Sequence, residues 1–558
     1  MVGDASRFVA AAASIPLLLA AHAWRRAQNG PAAVVELHVT RVADVADRAL
    51  LARRVARMAH DPTLSALLLR IEGPPGGWAA THDLREAIAK LRLAGRPVYA
   101  WVESPGNAAM WLASACDRVF LLRTGEVALV GLGAELTFLG GVLDRLGVEA
   151  DIVAAGAYKS FGEQFTRTFA SAENREATGL VLDDLQAALL DDVAAGRGIS
   201  REAVRAAMDA APLGPQDALA AGLVDALMYA DELDAWVTEA HGEDASRVPF
   251  ERWAAVDAVI EGIEGWGQES EGVAVLHLSG SIVMDDSGFG TMIRARKVVP
   301  VLKALREDPS VRAVVLHVDS PGGSALASDL IWREVELIKR TKPVVASFED
   351  VAASGGYYLA APATEILARP GTLTGSIGVV GGKLVAREGL RRLGVHAQTV
   401  GEAPNAHVFS PMAPFTDEQR TRFKASLDRF YDGFVSRVAA GRRRPVDAIE
   451  PHCRGRVWTG RSAIERGLVD RIGSLDDAVG RAASYAGLRA GAYRRVDLTV
   501  EPRRSFVSKL VQGVLRGAVA SPSAKAIASL LGASALVDVL ARHPAEPLAM
   551  LPLDLRVR

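Results

Sequence analysis

Cysteine is almost absent. Cys116 and Cys453 are the only two in 558 residues. Neither belongs to a CxxC pair, so neither a zinc site nor a disulfide framework is expected, and no cofactor is implied. Each reads as a small buried residue. An imbalance of charge is also missing: 64 Lys and Arg against 66 Asp and Glu leave a net charge of -2. That removes the electrostatic footprint of a nucleic-acid binder. Long uncharged apolar runs are scarce too, and one stands out near the start, "FVAAAASIPLLLAAHAW" at residues 8–24, with Arg7 before it and Arg25-Arg26 after it. Its length is at the lower limit for a membrane-spanning helix. Ala21-His22-Ala23 fits a small-residue cleavage site. The run therefore reads as an uncleaved anchor or a cleaved export signal. Arg25 and Arg26 by themselves favour keeping the downstream body in the cytoplasm.

What is present describes a folded chain. Hydrophobic residues make up 49% and charged residues 23%, a globular composition, and the length exceeds one ordinary core. The sequence repeats itself. "DPTLSALLLRIEGPPGG" (61–77) matches "DPSVRAVVLHVDSPGG" (308–323), and "RPVYAWVE" (96–103) matches "KPVVASFE" (342–349). "LDRLGVEADIV" (143–153) matches "LRRLGVHAQTV" (390–400), and "QDALAAGLVDAL" (216–227) matches "RSAIERGLVDRI" (461–472). The order is kept and the offset stays near 308 − 61 = 247 residues. This is a tandem duplication.

Each copy reads as α/β. "SALLLRI" and "RAVVLHV" are short apolar runs of the buried-strand kind. "THDLREAIAKLRLAG" and "ASDLIWREVELIKRT" carry helical apolar spacing, and "RPVYAWV" and "KPVVASF" are strands again. Strand–helix–strand in that order predicts a parallel sheet. The predicted organisation is an anchor or signal over 1–30, a first repeat over 31–265, a second over 266–500, and a helical tail over 501–558. Residues 238–270, acidic and weakly patterned, read as the connection. Two amphipathic stretches after residue 500 predict helices that cover the fold, support assembly or touch a membrane, with covering the fold the leading reading.

The copies differ where chemistry could reside. Ser354, in "VAASGGYYLAAPATEIL", stands opposite Asn107 or Ala108. Lys159, in "AAGAYKSFGEQF", stands opposite Ala406. One copy keeps a serine without the lysine, the other a lysine without the serine. Taken singly, the serine reads as a helix cap and the lysine as a solvated side chain. Their complementary loss across a duplication instead suggests one site assembled from two halves. A serine hydroxyl needs a base to become a nucleophile. Lysine serves if burial lowers its pKa, and Tyr158, Phe161 and Phe165 supply apolar company. Attack on a carbonyl also needs oxyanion donors. Gly322 and Gly323 in "DSPGGS" allow close backbone approach, and Gly355 offers an N–H at a helix start. A Ser-His-Asp triad has less support, since no histidine follows Ser354 until His396. Ser160, Ser320 and Ser324 read as structural.

On these residues, and on "GAYKS", "DSPGGSALASDLI", "AASGGYYLA", "TLTGSIGVVGGK" and "GRVWTGRSAIERGLVD", the chain resembles the long, tandem form of bacterial signal peptide peptidase A, or protease IV. That family has the Clp-protease/crotonase fold. The resemblance runs from about residue 30 to 490, plus the N-terminal run. It implies a serine peptidase with Ser354 as nucleophile, Lys159 as general base, Ser376 of "LTGSIG" holding the lysine, and Gly355 as an oxyanion donor. Gly322 and Gly323 rest on analogy with the wider fold class. The resemblance further implies signal-peptide substrates, one N-terminal inner-membrane anchor with the body on the periplasmic side, and a homo-oligomer, a tetramer in the family. Two other classes stay open: a crotonase-like acyl-CoA enzyme, which would not need Ser354, and a non-catalytic membrane scaffold.

Overall fold

The computed structural model describes residues 19–264, 271–285, 291–500 and 548–550. In the first copy the strands are β1 (Ala33–Val39), β2 (Leu64–Ile71), β3 (Val98–Val102), β4 (Arg118–Leu121), β5 (Glu149–Ala155), β6 (Ala226–Leu227) and β7 (Ser246–Pro249). Six of them form a sheet in the order β6-β4-β3-β2-β1-β7, and every pairing is parallel. β2 reads LSALLLRI and β3 reads VYAWV, nearly all buried, as strands covered on both faces must be. The Trp78–Leu93 helix crosses from β2 to β3. It buries Leu84, Ala87, Ile88 and Leu91 on one stripe and leaves its charged residues at the rim, the amphipathic pattern of a surface helix.

The second copy repeats the scheme with more strands: β8 (Gly272–Ser279), β9 (Ser281–Val283), β10 (Met292–Arg294), β11 (Val311–Ser320), β12 (Gly322–Ser324), β13 (Val344–Ala353), β14 (Glu365–Ala368), β15 (Leu373–Gly375), β16 (Val379–Val385), β17 (Val457–Thr459), β18 (Arg471–Ile472), β19 (Arg494–Thr499) and β20 (Leu548–Met550). The main sheet runs β17-β15-β13-β11-β8-β19, with β14 between β13 and β18. A smaller sheet runs β10-β9-β12-β20-β16-β5. It joins the copies, because β5 comes from the first and β16 from the second, paired antiparallel over seven residues from Val379–Ala155 to Val385–Glu149.

Three features differ from the sequence reading. Residues 238–270 are not a plain connection. Within them β7 pairs with β1, and the Phe250–Glu264 helix buries Trp253, whose Nε1 donates to Asp61. Asp61 is fully buried and also accepts from Thr63 N and Oγ1. The second departure concerns the N-terminal run. Residues 8–18 lie outside the described residues, whereas 19–29 are helical and dock on the body. Arg25 is buried between Asp257 (2.8 Å) and Asp61 (3.3 Å), so in the fold its charge is paired. Among the described residues no helix is long and apolar enough to cross a membrane. Third, the two amphipathic stretches predicted beyond residue 500 lie outside the described residues, and 548–550 is a strand.

The copies are also tied by charge. Arg48 of the first reaches Asp319 and Asp350 of the second, each at 2.5 Å. Asp350 accepts in turn from Gly77 N (2.6 Å) and Ala80 N (3.0 Å) at the start of the Trp78–Leu93 helix. Arg369 of the second copy pairs with Asp83 and Glu86 of the first. Burial opposes the Arg48 charge, but Asp319, Asp350 and Glu349 together raise its pKa.

Candidate active site

Ser354 sits at a corner between strand and helix. β13 runs five residues beyond the apolar run read from sequence and ends at Ala353, and the Gly355–Ala360 helix begins immediately after the serine. The turn requires φ 54° and ψ -114° at Ser354, a region that costs a non-glycine residue strain. Neighbouring bonds hold it there. Ser354 N donates to Gly375 O (2.8 Å), and Tyr358 N donates to Ser354 O (2.8 Å). Ser354 is fully buried.

Lys159 arrives from the first copy. β5, pinned on β16, ends at Ala155 opposite Val379. The chain then turns through Gly156, φ 109°, and Tyr158 N donates to Arg454 O (2.8 Å). A side chain at Gly455 would meet Lys159 N and Cα at 2.5 and 2.7 Å, so that glycine permits the close approach. Gly455 N donates to Ile377 O (2.6 Å) and Ser376 N donates to Arg456 O (2.7 Å). Residues 454–456 thus hold the lysine loop and the Ser376 loop side by side. Sequence reasoning missed this role, although the segment overlaps the start of "GRVWTGRSAIERGLVD".

The result is a tight cluster within one chain. Lys159 Nζ lies 2.7 Å from Ser354 Oγ and donates to Ser376 O (2.9 Å) and Ser376 Oγ (3.0 Å). Lys159 is 4% exposed and both serines 0%. Burial holds the Lys159 ammonium well below the ordinary lysine range, because no carboxylate compensates the lost solvation. Phe161 and Phe165 are buried beside Val380. Tyr158 is only half-buried and gives its hydroxyl to Glu176 (2.9 Å).

The three glycines separate. Gly355 is the first residue of its helix. A Cβ on it would lie 3.2 Å from Gly323 N, which puts the Gly323 amide beside the start of that helix. Gly322 N instead donates to Ser320 Oγ (3.2 Å). Ser320 Oγ gives its proton to Gly280 O (2.7 Å), and Ser324 Oγ accepts from Ala327 N (3.0 Å) as a helix cap. Both serines therefore have structural bonds.

The corresponding corner of the first copy is built differently. There Gly106 alone, at φ -81°, both bridges Ala128 and caps the Asn107–Ala113 helix. In the second copy Ala352 pairs with Thr374 and Ser354 caps the helix. The first copy has no residue at the strained position. Ala406, opposite Lys159 in sequence, lies in an exposed stretch without strand structure.

Residues 90–243 and 336–489 each match peptidase family S49. The chain is 31% identical over 486 residues to the chloroplastic serine protease SPPA of Arabidopsis thaliana, covering 84% of this chain and 71% of that one. It is 32% identical over 413 residues to Protease 4 of Salmonella typhi, covering 72% of this chain and 66% of that one. Among solved structures, a ClpP1 mutant from Listeria monocytogenes aligns with 37% of this chain and 94% of its own, at 15% identity and a TM-score of 0.25. Two matched segments that together exceed half the chain, and a relative above 30% identity across most of it, establish that the chain is a serine peptidase belonging to peptidase family S49, with two copies of the family's domain.

Proposed function

We propose that the chain is an endopeptidase with a Ser-Lys dyad that degrades released signal peptides and similar apolar peptides at a membrane. The observation that carries this is the 2.7 Å approach of Lys159 Nζ to Ser354 Oγ, with burial and no carboxylate acting on the lysine. A neutral lysine amine has two N–H donors and one lone pair. Ser376 O and Oγ take the two donors, which aims the lone pair at the Ser354 hydroxyl. Lys159 takes that proton as Oγ attacks the peptide carbonyl carbon. The N–H groups of Gly355 and Gly323 receive the developing oxyanion. The Lys159 ammonium then protonates the departing amine. Water, deprotonated by the same amine, attacks the acyl-enzyme and returns the serine. Ser376 is a positioning residue in this scheme.

A second feature supports assembly with further copies. β5 has its partner in β16, whereas its counterpart in the second copy, near residues 394–400, pairs with no strand among the described residues. Leu393, Val395 and Val400 are 79%, 50% and 83% exposed there. If the relation between the copies is applied once more, another chain's first copy would lie against this segment, a head-to-tail contact of the kind that closes into rings. The apolar run at 8–24 would tether the body to the inner membrane on its periplasmic side. The test of the peptidase reading is covalent: an activated phosphonate should modify Ser354 and abolish peptide hydrolysis together, and hydrolysis that survives complete modification would refute it.

A further inference from the structure

Backbone bonds are not all that hold the Lys159 loop. Arg456, one residue before β17, serves both loops of the site. Its carbonyl accepts from Ser376 N (2.7 Å). Its guanidinium lies over the Tyr158 ring, 3.8 Å from the centroid, and donates to Glu176 Oε1 (2.6 Å). Tyr158 gives its hydroxyl to the other oxygen of that carboxylate (2.9 Å). The three side chains close a ring across the copies, Tyr158 and Glu176 from the first and Arg456 from the second. Glu176 stands on the Ala172–Arg197 helix. Asp184 of the same helix accepts from Thr459 Oγ1 and Ser462 Oγ, each at 2.6 Å, so the helix is docked on the segment that follows Arg456. Arg456 and Glu176 are 16% and 50% exposed, which puts the ring at the surface while Lys159, the next residue after Tyr158, is buried.

The ring opposes a force that the site itself creates. A buried ammonium without a carboxylate gains by reaching water, and Lys159 sits on a short turn between β5 and the 160–162 turn of helix. Tyr158 and Lys159 are consecutive, so the loop cannot swing outward while the Tyr158 ring is stacked and its hydroxyl is bonded. We propose that Arg456 and Glu176 are positioning residues that fasten Tyr158 and thereby keep Lys159 beside Ser354 and shielded from water. The effect on rate rests on the peptidase reading; the fastening does not. The other charges around the loop have partners of their own: Arg454 pairs with Glu450 (2.8 Å), and Glu163 accepts from Ser171 N and Asn174 Nδ2 (3.0 and 3.1 Å). The bonds from Tyr158 and Arg456 hold the Glu176 carboxyl below its usual range, so the ring stays closed wherever the lysine amine is neutral.

The test separates position from charge by the sign of a shift. If Glu176 acted on Lys159 through its charge alone, removing it would lower the lysine pKa further, since a nearby anion favours the ammonium. If it acts by fastening the loop, removing it lets water in and raises that pKa. The full chain is compared with Glu176→Ala, Glu176→Gln and Arg456→Met. Glu176→Ala and Arg456→Met should each lower kcat for an apolar fluorogenic peptide about tenfold, with KM within about twofold of wild type. Both should move the midpoint of the pH–rate profile upward. Glu176→Gln loses the same charge but keeps an acceptor oxygen for Tyr158, and should retain more of the rate. The pKa of Lys159 is read directly by competitive acetylation with acetic anhydride across pH and peptide mapping, and should rise in Glu176→Ala. An unchanged midpoint and rate in folded Glu176→Ala, or a midpoint that falls, overturns the proposal. So does a raised KM at unchanged kcat, which would make the ring a substrate contact. Glu176 is half exposed, so its variants carry the test even where Arg456→Met fails to fold. If no chain hydrolyses peptide while the Lys159 pKa still rises in Glu176→Ala, the peptidase reading falls and the fastening survives.

Discussion

The two copies share a strand–helix–strand frame, yet their corners meet different fates. In the second, an added residue at the end of β13 forces a strained turn and lifts Ser354 toward Lys159. In the first, Gly106 makes the turn without strain. The amides differ too. The Gly323 amide lies close to Gly355, the residue after Ser354, whereas Gly77 N of the first copy donates to the Asp350 carboxylate of the second. A loop built to receive negative charge has there become a permanent anchor for its sister domain. The fold supplies donors in both places, and local residues decide whether they meet a substrate or a neighbour.

The largest expected effect comes from deleting either half of the assembled site. Ser354→Ala and Lys159→Ala should each lower kcat/KM by roughly a thousandfold or more, and the double variant should be little worse, since the two act as a unit. Steady-state kinetics on an apolar peptide checks this. Additive losses would separate the residues. Co-expressing the two single variants should restore nothing, because Lys159 reaches Ser354 of its own chain.

The disused corner should matter for stability and little for chemistry. Asp350→Asn weakens the Arg48 pair, in which the two side chains are 15% and 7% exposed, and should cost about 3 kcal/mol in denaturant unfolding. The folded variant should still react with phosphonate at Ser354. Loss of that reactivity without loss of stability would reverse the roles assigned to the two corners.

A smaller effect is expected at Ser376. Its Oγ accepts from Lys159, a bond stronger for the ammonium than for the amine. Ser376→Ala should lower kcat about tenfold and move the midpoint of the pH–rate profile to lower pH. Wild-type activity should itself rise with pH and level off well below the ordinary lysine range. An unchanged rate and profile in Ser376→Ala would make that residue purely structural.

The smallest effect is a gain. A buried lysine of lowered pKa binds its proton less readily in the folded state than in the unfolded chain. It therefore destabilises the fold at neutral pH, and that cost fades as pH rises from the folded pKa toward the unfolded value near 10.4. Lys159→Met should be more stable than wild type near pH 7, with the two converging in alkaline thermal melts. A less stable Lys159→Met at pH 7 would mean that Lys159 binds its proton at least as readily when folded.

Much of this was legible in the sequence because it is local or repeated. The continuous apolar runs of β2 and β11, the helical stripes, and the complementary loss of serine and lysine need no three-dimensional information. What was not legible depends on distant partners. Nothing in "TEAHGEDASRVPFERW" says that β7 will find β1 or that Trp253 will reach Asp61. "LGVEADIV" and "LGVHAQTV" are nearly the same string, yet only the first is a strand, because only it has β16 to pair with. The positive φ at Ser354 follows from the length of β13, which the apolar run understates. The segment at 548–550 was read as part of a helical tail, and its strand pairing depends on a slot formed by residues more than 150 positions away.

The central claim is one live corner per chain, activated by a lysine from the other copy. Its most direct test is the stoichiometry and pH dependence of phosphonate labelling, read by intact mass and peptide mapping in wild type and Lys159→Met. Wild type should take one label per chain, on Ser354, at a rate that rises with pH and saturates well below pH 10, and Lys159→Met should label negligibly at neutral pH. Labelling of Lys159→Met at the wild-type rate, or a second label in the first copy, would contradict it.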